Sequence, residues 1–152
     1  GIAAVLAVAL LGAWNLSLQS QLTDAQEYER QVAAVLDAAG RPDALTAVMR
    51  SDTGDGPSGL AAVTSDGVMR VAMRDLAPTS GTEVYEAWVI TADQPPVPLG
   101  AFQVGSTGVG YLEASGLPTE AGIVLALTRE PGPGATAPSS TPVSVGTANP
   151  AA

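Results

Sequence analysis

Two hydrophobic periods divide the chain. Residues 1–14 (GIAAVLAVALLGAW) are uncharged and apolar apart from their glycines. Residues 16–39 then place Leu18, Leu22, Ala25, Glu29, Val32, Leu36 and Ala39 on a 4,3 repeat, the spacing of one helix face. Gly40 and Pro42 end that pattern, because glycine closes a helix and proline cannot continue one. From Ala44 onward the period is two, the spacing of strands.

Residues 44–50 form the first predicted strand, and residues 51–58 (SDTGDGPS) a solvated loop. Its acids lack the alternate spacing and twelfth-position glutamate of an EF-hand calcium loop. Residues 59–65 and 68–75 flank Asp66-Gly67, a strong hairpin signal. In the second of these strands Met69, Val71 and Met73 point one way and Arg70 and Arg74 the other. That pattern describes a half-buried strand with its arginines on a solvated face. Residues 76–82 are a polar connection.

Residues 84–102 (VYEAWVITADQPPVPLGAF) form the centre. Residues 84–91 mix β-branched and aromatic side chains without a breaker. Three prolines in residues 93–98 stop the strand, since proline lacks the amide proton a ladder needs. A second strand starts at Leu99. Residues 108–114 are a further strand. Residues 123–130 are apolar on both faces until Thr128, which predicts a central strand pairing with residues 84–102. Residues 131–141 read as loop and residues 142–146 as a short edge strand. The expected fold is therefore mainly β: an antiparallel β-sandwich, immunoglobulin-like or related, preceded by a transmembrane and juxtamembrane α-helix. The expected organisation is residues 1–15 as the outer part of a truncated transmembrane helix, 16–41 as a helical stalk, 42–147 as the sandwich and 148–152 as a flexible tail.

The membrane reading of residues 1–14 rests on hydropathy. The stretch is shorter than the ~20 residues that span a bilayer, but the polar residues beyond it place Trp14 at an interface, where indoles collect. Asp24, Glu27 and Glu29 follow with no basic residue before Arg30, which fits an outside location by the positive-inside rule. Ala3/Ala7 and Ala9/Ala13 have the small-xxx-small spacing that admits a homodimer through the helix; along the stalk Glu29 and the alanines make a poorer dimer seam, and the favoured reading is a juxtamembrane stalk whose apolar stripe touches the domain.

Charge and composition narrow the chemistry. Fifteen acids against six arginines give a formal net charge of −9, which repels nucleic acid. The chain has no lysine, cysteine or histidine. The usual ligands of zinc, copper and haem are thus missing, as are Ser-His-Asp, Cys-His and Ser-Lys nucleophile systems. No catalytic residue, metal or cofactor is expected. The remaining candidate is Glu86, two residues from Trp88 on one strand face and preceded by Glu83. A glutamate beside an indole takes on a raised pKa and acid character. A glycosidase would need a second carboxylate about 5 Å away, from Glu113 or Glu130. The simpler reading is a structural hydrogen bond or ion pair, with a neighbouring-strand arginine as a natural partner.

Three ordered motifs carry a family resemblance: Tyr85-Glu86-Ala87-Trp88-Val89, Pro98-Leu99-Gly100-Ala101-Phe102, and Ala126-Leu127-Thr128-Arg129-Glu130-Pro131-Gly132. In this order, over roughly residues 10–146, the chain resembles the C-terminal domain of RskA-type anti-sigma factors. In that family a Y-E-x-W strand leads to P-x-L-G-x-F, and a later strand ends T-x-E-P-x-G-G. Tyr85, Glu86, Trp88, Leu99, Gly100, Phe102, Thr128, Glu130, Pro131 and Gly132 are the matching motif positions. The chain departs from the pattern at Gly132-Pro133-Gly134 and in its serine-rich residues 135–141. The resemblance implies a single-pass regulator of the cell membrane, with this domain extracytoplasmic. A cytoplasmic N-terminal domain outside this chain would hold an extracytoplasmic-function sigma factor. Membrane-associated proteases would release the factor by cutting first outside and then within the bilayer. Ala38-Ala39-Gly40 is the expected accessible joint. The alternative is an anchored adhesion or structural sandwich with no signalling role.

Overall fold

A computed structural model describes residues 26–92 and 94–150. The chain divides into two units, Gly1–Arg30 and Gln31–Ala152. In the first, residues 26–30 are helical and Arg30 Nη2 lies 2.5 Å from Glu27 Oε2. The expected transmembrane helix lies outside the described residues. Among those described, no helix is long and apolar enough to cross a membrane.

The second unit opens with helical residues 31–39. Gly40 ends them, its amide donating to Leu36 O at 2.9 Å. Val35 and Ala38 are the buried positions, while Leu36 is 56% exposed. The apolar stripe is thus rotated by about one residue from the Val32–Leu36–Ala39 line that the sequence favoured. In an alanine-rich helix the small residues can occupy the close-packed face, so the largest apolar side chains do not set the phase.

Among the described residues nine strands follow: β1 Leu45–Met49, β2 Ser58–Val63, β3 Met69–Arg74, β4 Val84–Ile90, β5 Val97–Phe102, β6 Gly110–Ala114, β7 Val124–Glu130, β8 Ser144–Thr147 and β9 Asn149–Pro150. They form two antiparallel sheets, ordered β6-β3-β2-β1-β9 and β5-β4-β7-β8. Three consecutive strands lie side by side in the first sheet. An immunoglobulin domain instead sends its third strand across to the other sheet, so this strand order is a different one. An isolated bridge joins the sheets at one side, where Arg50 and Val145 exchange backbone hydrogen bonds of 3.0 and 2.9 Å.

The core between the sheets follows from alternation. Leu45, Ala47 and Met49 of β1, Met69, Val71 and Met73 of β3, Tyr85, Ala87 and Val89 of β4, and Leu125 and Leu127 of β7 all point inward. The β2–β3 pair forms as expected, with Val63 opposite Met69 and Gly67 at φ 76° in the connecting turn. The loop has three residues rather than the two of Asp66-Gly67, because Thr64 N bonds Val68 O at 2.9 Å and so adds Ser65 to it. β4 pairs with β7 along its whole length, from Val84 opposite Glu130 to Ile90 opposite Val124. At the β4–β5 step Ala87 faces Gly100 and Trp88 faces Pro98, so a bulge takes up Leu99. Gly100 has φ 144°, a conformation that L side chains rarely adopt.

One expectation changes at the end of the domain. Asn149 and Pro150 are not a free tail: they pair with Thr46 and Leu45 and form β9. Residues 31–41, within the segment read as a stalk, group with the sandwich.

The tightest backbone approach is at Gly59, where an added Cβ would lie 2.2 Å from Ala72 O and 3.0 Å from Met73 Cα. Both are backbone atoms, so β2 and β3 would have to separate. Gly59→Ala is expected to cost about 1–3 kcal/mol, the usual range for overpacking, read as a lowered denaturation midpoint at unchanged slope.

Candidate functional site

Alternation on β4 turns Tyr85 toward the core and Glu86 and Trp88 to the outer face of their sheet. An outer face is normally wet, yet Trp88 is 0% exposed and Glu86 3%. On β7 the same face carries Thr128 and Glu130, at 0% and 1%. Their strand pairing brings them together, with Glu86 opposite Thr128 and Val84 opposite Glu130. Four of the motif residues thus converge on one buried patch.

A single chain of hydrogen bonds runs through it. Trp88 Nε1–H donates to Thr128 Oγ1 at 2.8 Å, and Thr128 O–H donates to Glu130 Oε1 at 2.5 Å. Glu130 also accepts from the Ser139 amide, at 3.1 Å to Oε1 and 3.2 Å to Oε2, and from the Ser139 hydroxyl. Ser139 lies in residues 131–143, a strap between β7 and β8. The strap is tied near both ends, with Thr82 Oγ1 donating to Pro131 O at 2.8 Å and the Val143 amide to Leu127 O at 2.8 Å. Ser140 adds a bond to Arg129 O at 2.9 Å.

The two carboxylates have opposite electrostatics. Burial pushes the Glu130 carboxyl up. The Ser139 hydroxyl, the Thr128 hydroxyl and the Ser139 amide outweigh it, holding Glu130 below its usual range and ionised. Burial also pushes Glu86 up, and there the Ala135 amide opposes the shift too weakly, with Glu130 adding like-charge repulsion. Glu86 therefore sits above its usual range, and its Oε2 has no hydrogen-bond partner.

The structure places the other candidates elsewhere. Glu113, named as a second acid for Glu86, sits on β6 in the opposite sheet and pairs with Arg70 at 2.8 Å. Among the described residues no arginine pairs with Glu86. Arg129, on the adjacent strand, alternates away and binds Glu83 Oε2 at 2.9 Å and Pro78 O at 3.1 Å. Glu83 is further held by the Ser80 hydroxyl and amide at 2.8 and 3.0 Å. Tyr85 stacks on Phe102 with ring centroids 6.0 Å apart, and its hydroxyl donates to Ala77 O at 3.0 Å. Leu99 and Phe102 pack against the core from β5. Pro131 and Gly132 start the strap. At the expected cleavage joint Ala38 is helical and buried, Ala39 is half-buried and only Gly40 is exposed. In the folded unit that joint does not offer extended, accessible backbone.

Chemically, the patch is a fastening. Glu86 and Glu130 share the outer face of the paired strands, but both are buried: Glu130 is bound to Thr128 and Ser139, and Glu86 faces the Ala135 amide with its Oε2 unpartnered. Ser139 is the residue that sequence reasoning missed. Its signal was indirect: a buried carboxylate in a chain poor in cations must draw its donors from hydroxyls and amides. A separate cleft of about 560 Å³ opens between the β4–β5 and β6–β7 connections, floored by Val89, Leu99 and Leu117. Among the described residues its one ionisable lining group is Glu120.

A family model described as "Anti-sigma-K factor rskA, C-terminal" matches residues 1–143. No curated protein and no solved structure matches the chain.

Proposed function

The chain belongs to the RskA C-terminal family of anti-sigma factors, and from that membership we propose that it is the extracytoplasmic regulatory domain of a single-pass membrane protein. The family is regulatory and acts on sigma factors. On this reading a cytoplasmic N-terminal part of the protein holds an extracytoplasmic-function sigma factor inactive. The observation that carries the proposal is the extent of the match, which takes in the apolar residues 1–14 together with nearly all of the sandwich.

The geometry suggests how such a domain would control proteolysis. Proteases bind extended backbone. Residues 31–39 are helical, and Val35 and Ala38 are buried within the same unit as the sandwich. Cleavage near Ala38, Ala39 and Gly40 therefore requires that helical segment to unwind first. A stable sandwich keeps the joint closed, and a signal that loosens the sandwich opens it to a membrane-associated protease. A second cut within the bilayer then frees the sigma factor.

Tagged full-length protein, extracted from its native membranes, is expected to bring down a sigma factor in roughly equimolar amount. Protease added to intact cells stripped of their outer layers is expected to trim the sandwich. Recovery without a sigma factor, or a sandwich shielded in intact cells but cut after lysis, contradicts the proposal.

A further inference from the structure

The buried patch contains more acid than the fastening needs. Glu130 alone receives the Thr128 and Ser139 donors. Glu86 lies beside it on the same face of the paired strands, 97% removed from solvent, with one oxygen unpartnered. Among the described residues no cation is paired with either carboxylate. The strap, residues 131–143, contains no ionisable side chain, and neither do β5, which pairs with β4, nor β8, which pairs with β7. On β7 the one base, Arg129, is turned to Glu83 and Pro78. Two full negative charges side by side on this face, out of water, repel, and the Glu130 charge is one of the causes that hold Glu86 above its usual range.

We propose that the strap is a pH-operated latch: it stays closed over the β4–β7 face while Glu86 and Glu130 hold one negative charge between them, and opens when they hold two or none. With one charge, Glu130 is the carboxylate that clasps Ser139 and Glu86 is the neutral neighbour. With two, lifting the strap is the route by which water reaches the pair. With none, Glu130 loses the charge that makes its bonds to Ser139 and Thr128 strong. Hydrogen bonds from Ser139 and Ser140 tie the strap's later half, and Gly134 sits at φ 84° in its earlier half. The latch is a property of the chain itself and does not depend on the sigma-factor reading.

The directions of titration set the pH window. Glu86 is raised above 4.5 in the closed form, so its contribution to closure is complete in acid and is lost as pH rises through the raised value. Glu130 is lowered below 4.5, so its contribution is present above 4.5 and lost as pH falls through the lowered value. Closure is therefore tightest on the acid side of neutrality.

The test is amide hydrogen exchange at Ser139 in the full chain from about pH 2 to 9, corrected for intrinsic exchange, with β2–β3 amides as a reference for global folding. Wild-type protection is expected to peak in mild acid and to fall at least ~10-fold toward alkaline pH, while the reference amides hold. Glu86→Gln is expected to abolish the alkaline fall and keep the acid one. Ser139→Ala is expected to expose the strap, read at Ala135, at every pH. A flat wild-type profile overturns the latch, as does an alkaline fall that persists in a folded Glu86→Gln variant. Should that variant fail to fold, the wild-type profile decides alone.

Discussion

Replacing Trp88 by alanine is expected to destabilise the domain by about 3–5 kcal/mol, the range for deleting a buried tryptophan. The side chain is the largest of the fully buried ones and is 0% exposed. It lies on the outer face of β4, so its removal opens a void between that face and whatever covers it. The variant also loses the indole bond to Thr128 Oγ1, at 2.8 Å, leaving a buried acceptor half-satisfied. A domain of this size is stable by about 5–15 kcal/mol, so the loss takes a large share of the total. Trp88→Phe keeps most of the apolar volume and loses the hydrogen bond. It is expected to cost less than half as much. Chemical denaturation of both variants, followed by the lost far-ultraviolet β signal, checks the magnitude and its order.

The second large effect is at Glu130. Glu130→Ala is expected to cost about 2–4 kcal/mol, because it strips partners from the buried Thr128 hydroxyl and from both Ser139 donors at once. Ser139 is exposed and regains water, whereas Thr128 at 0% exposure does not. Thr128 thus carries most of the penalty. Relief of the repulsion on Glu86 offsets part of it, which keeps the figure below that for a buried ion pair broken at one end. The strap loses its clasp, so limited proteolysis is expected to cut within residues 131–143 before the sandwich unfolds. Denaturation midpoint and cleavage site are read on the same sample. An unchanged midpoint with an intact strap contradicts the assignment of Glu130 as the fastening.

Much of this architecture was legible from alternation. The β2–β3 hairpin, the inward methionines of β3 and the full-length pairing of β4 with β7 all follow from period-two patterns bounded by breakers. The site was legible in part. Glu86 and Trp88 share a face by simple parity, and Thr128 and Glu130 by the same rule on β7. Which face of β4 looks toward the other sheet was not readable, because six of its seven positions are buried. A strand buried on both sides has no amphipathic signature.

The long-range polar contacts were not legible either. Ser139 lies nine positions from Glu130 along an irregular loop, and Arg129 lies 46 positions from Glu83. Neither spacing repeats anything, so no periodicity announces it. The helix phase was misread because alanine is nearly silent in a hydrophobic pattern: Ala38 is buried and Leu36 exposed, the reverse of their sizes. β9 escaped for a related reason. Two residues, one of them proline, carry no strand signal, and only the register against β1 reveals them.

These particulars bear on function through one link. Trp88, Thr128, Glu130 and the strap hold one face of the β5-β4-β7-β8 sheet closed, and the proposed control of proteolysis depends on that sheet staying folded. The most direct measurement is therefore made in cells. Full-length protein carrying Trp88→Ala or Trp88→Phe is followed by immunoblot of the membrane fraction alongside a sigma-dependent transcriptional reporter. A shortened membrane-bound product and a raised reporter are expected for the alanine variant, with the phenylalanine variant close to wild type. A sandwich shown to be unfolded in the alanine variant, on a protein that stays full-length with the reporter at its wild-type level, would contradict it.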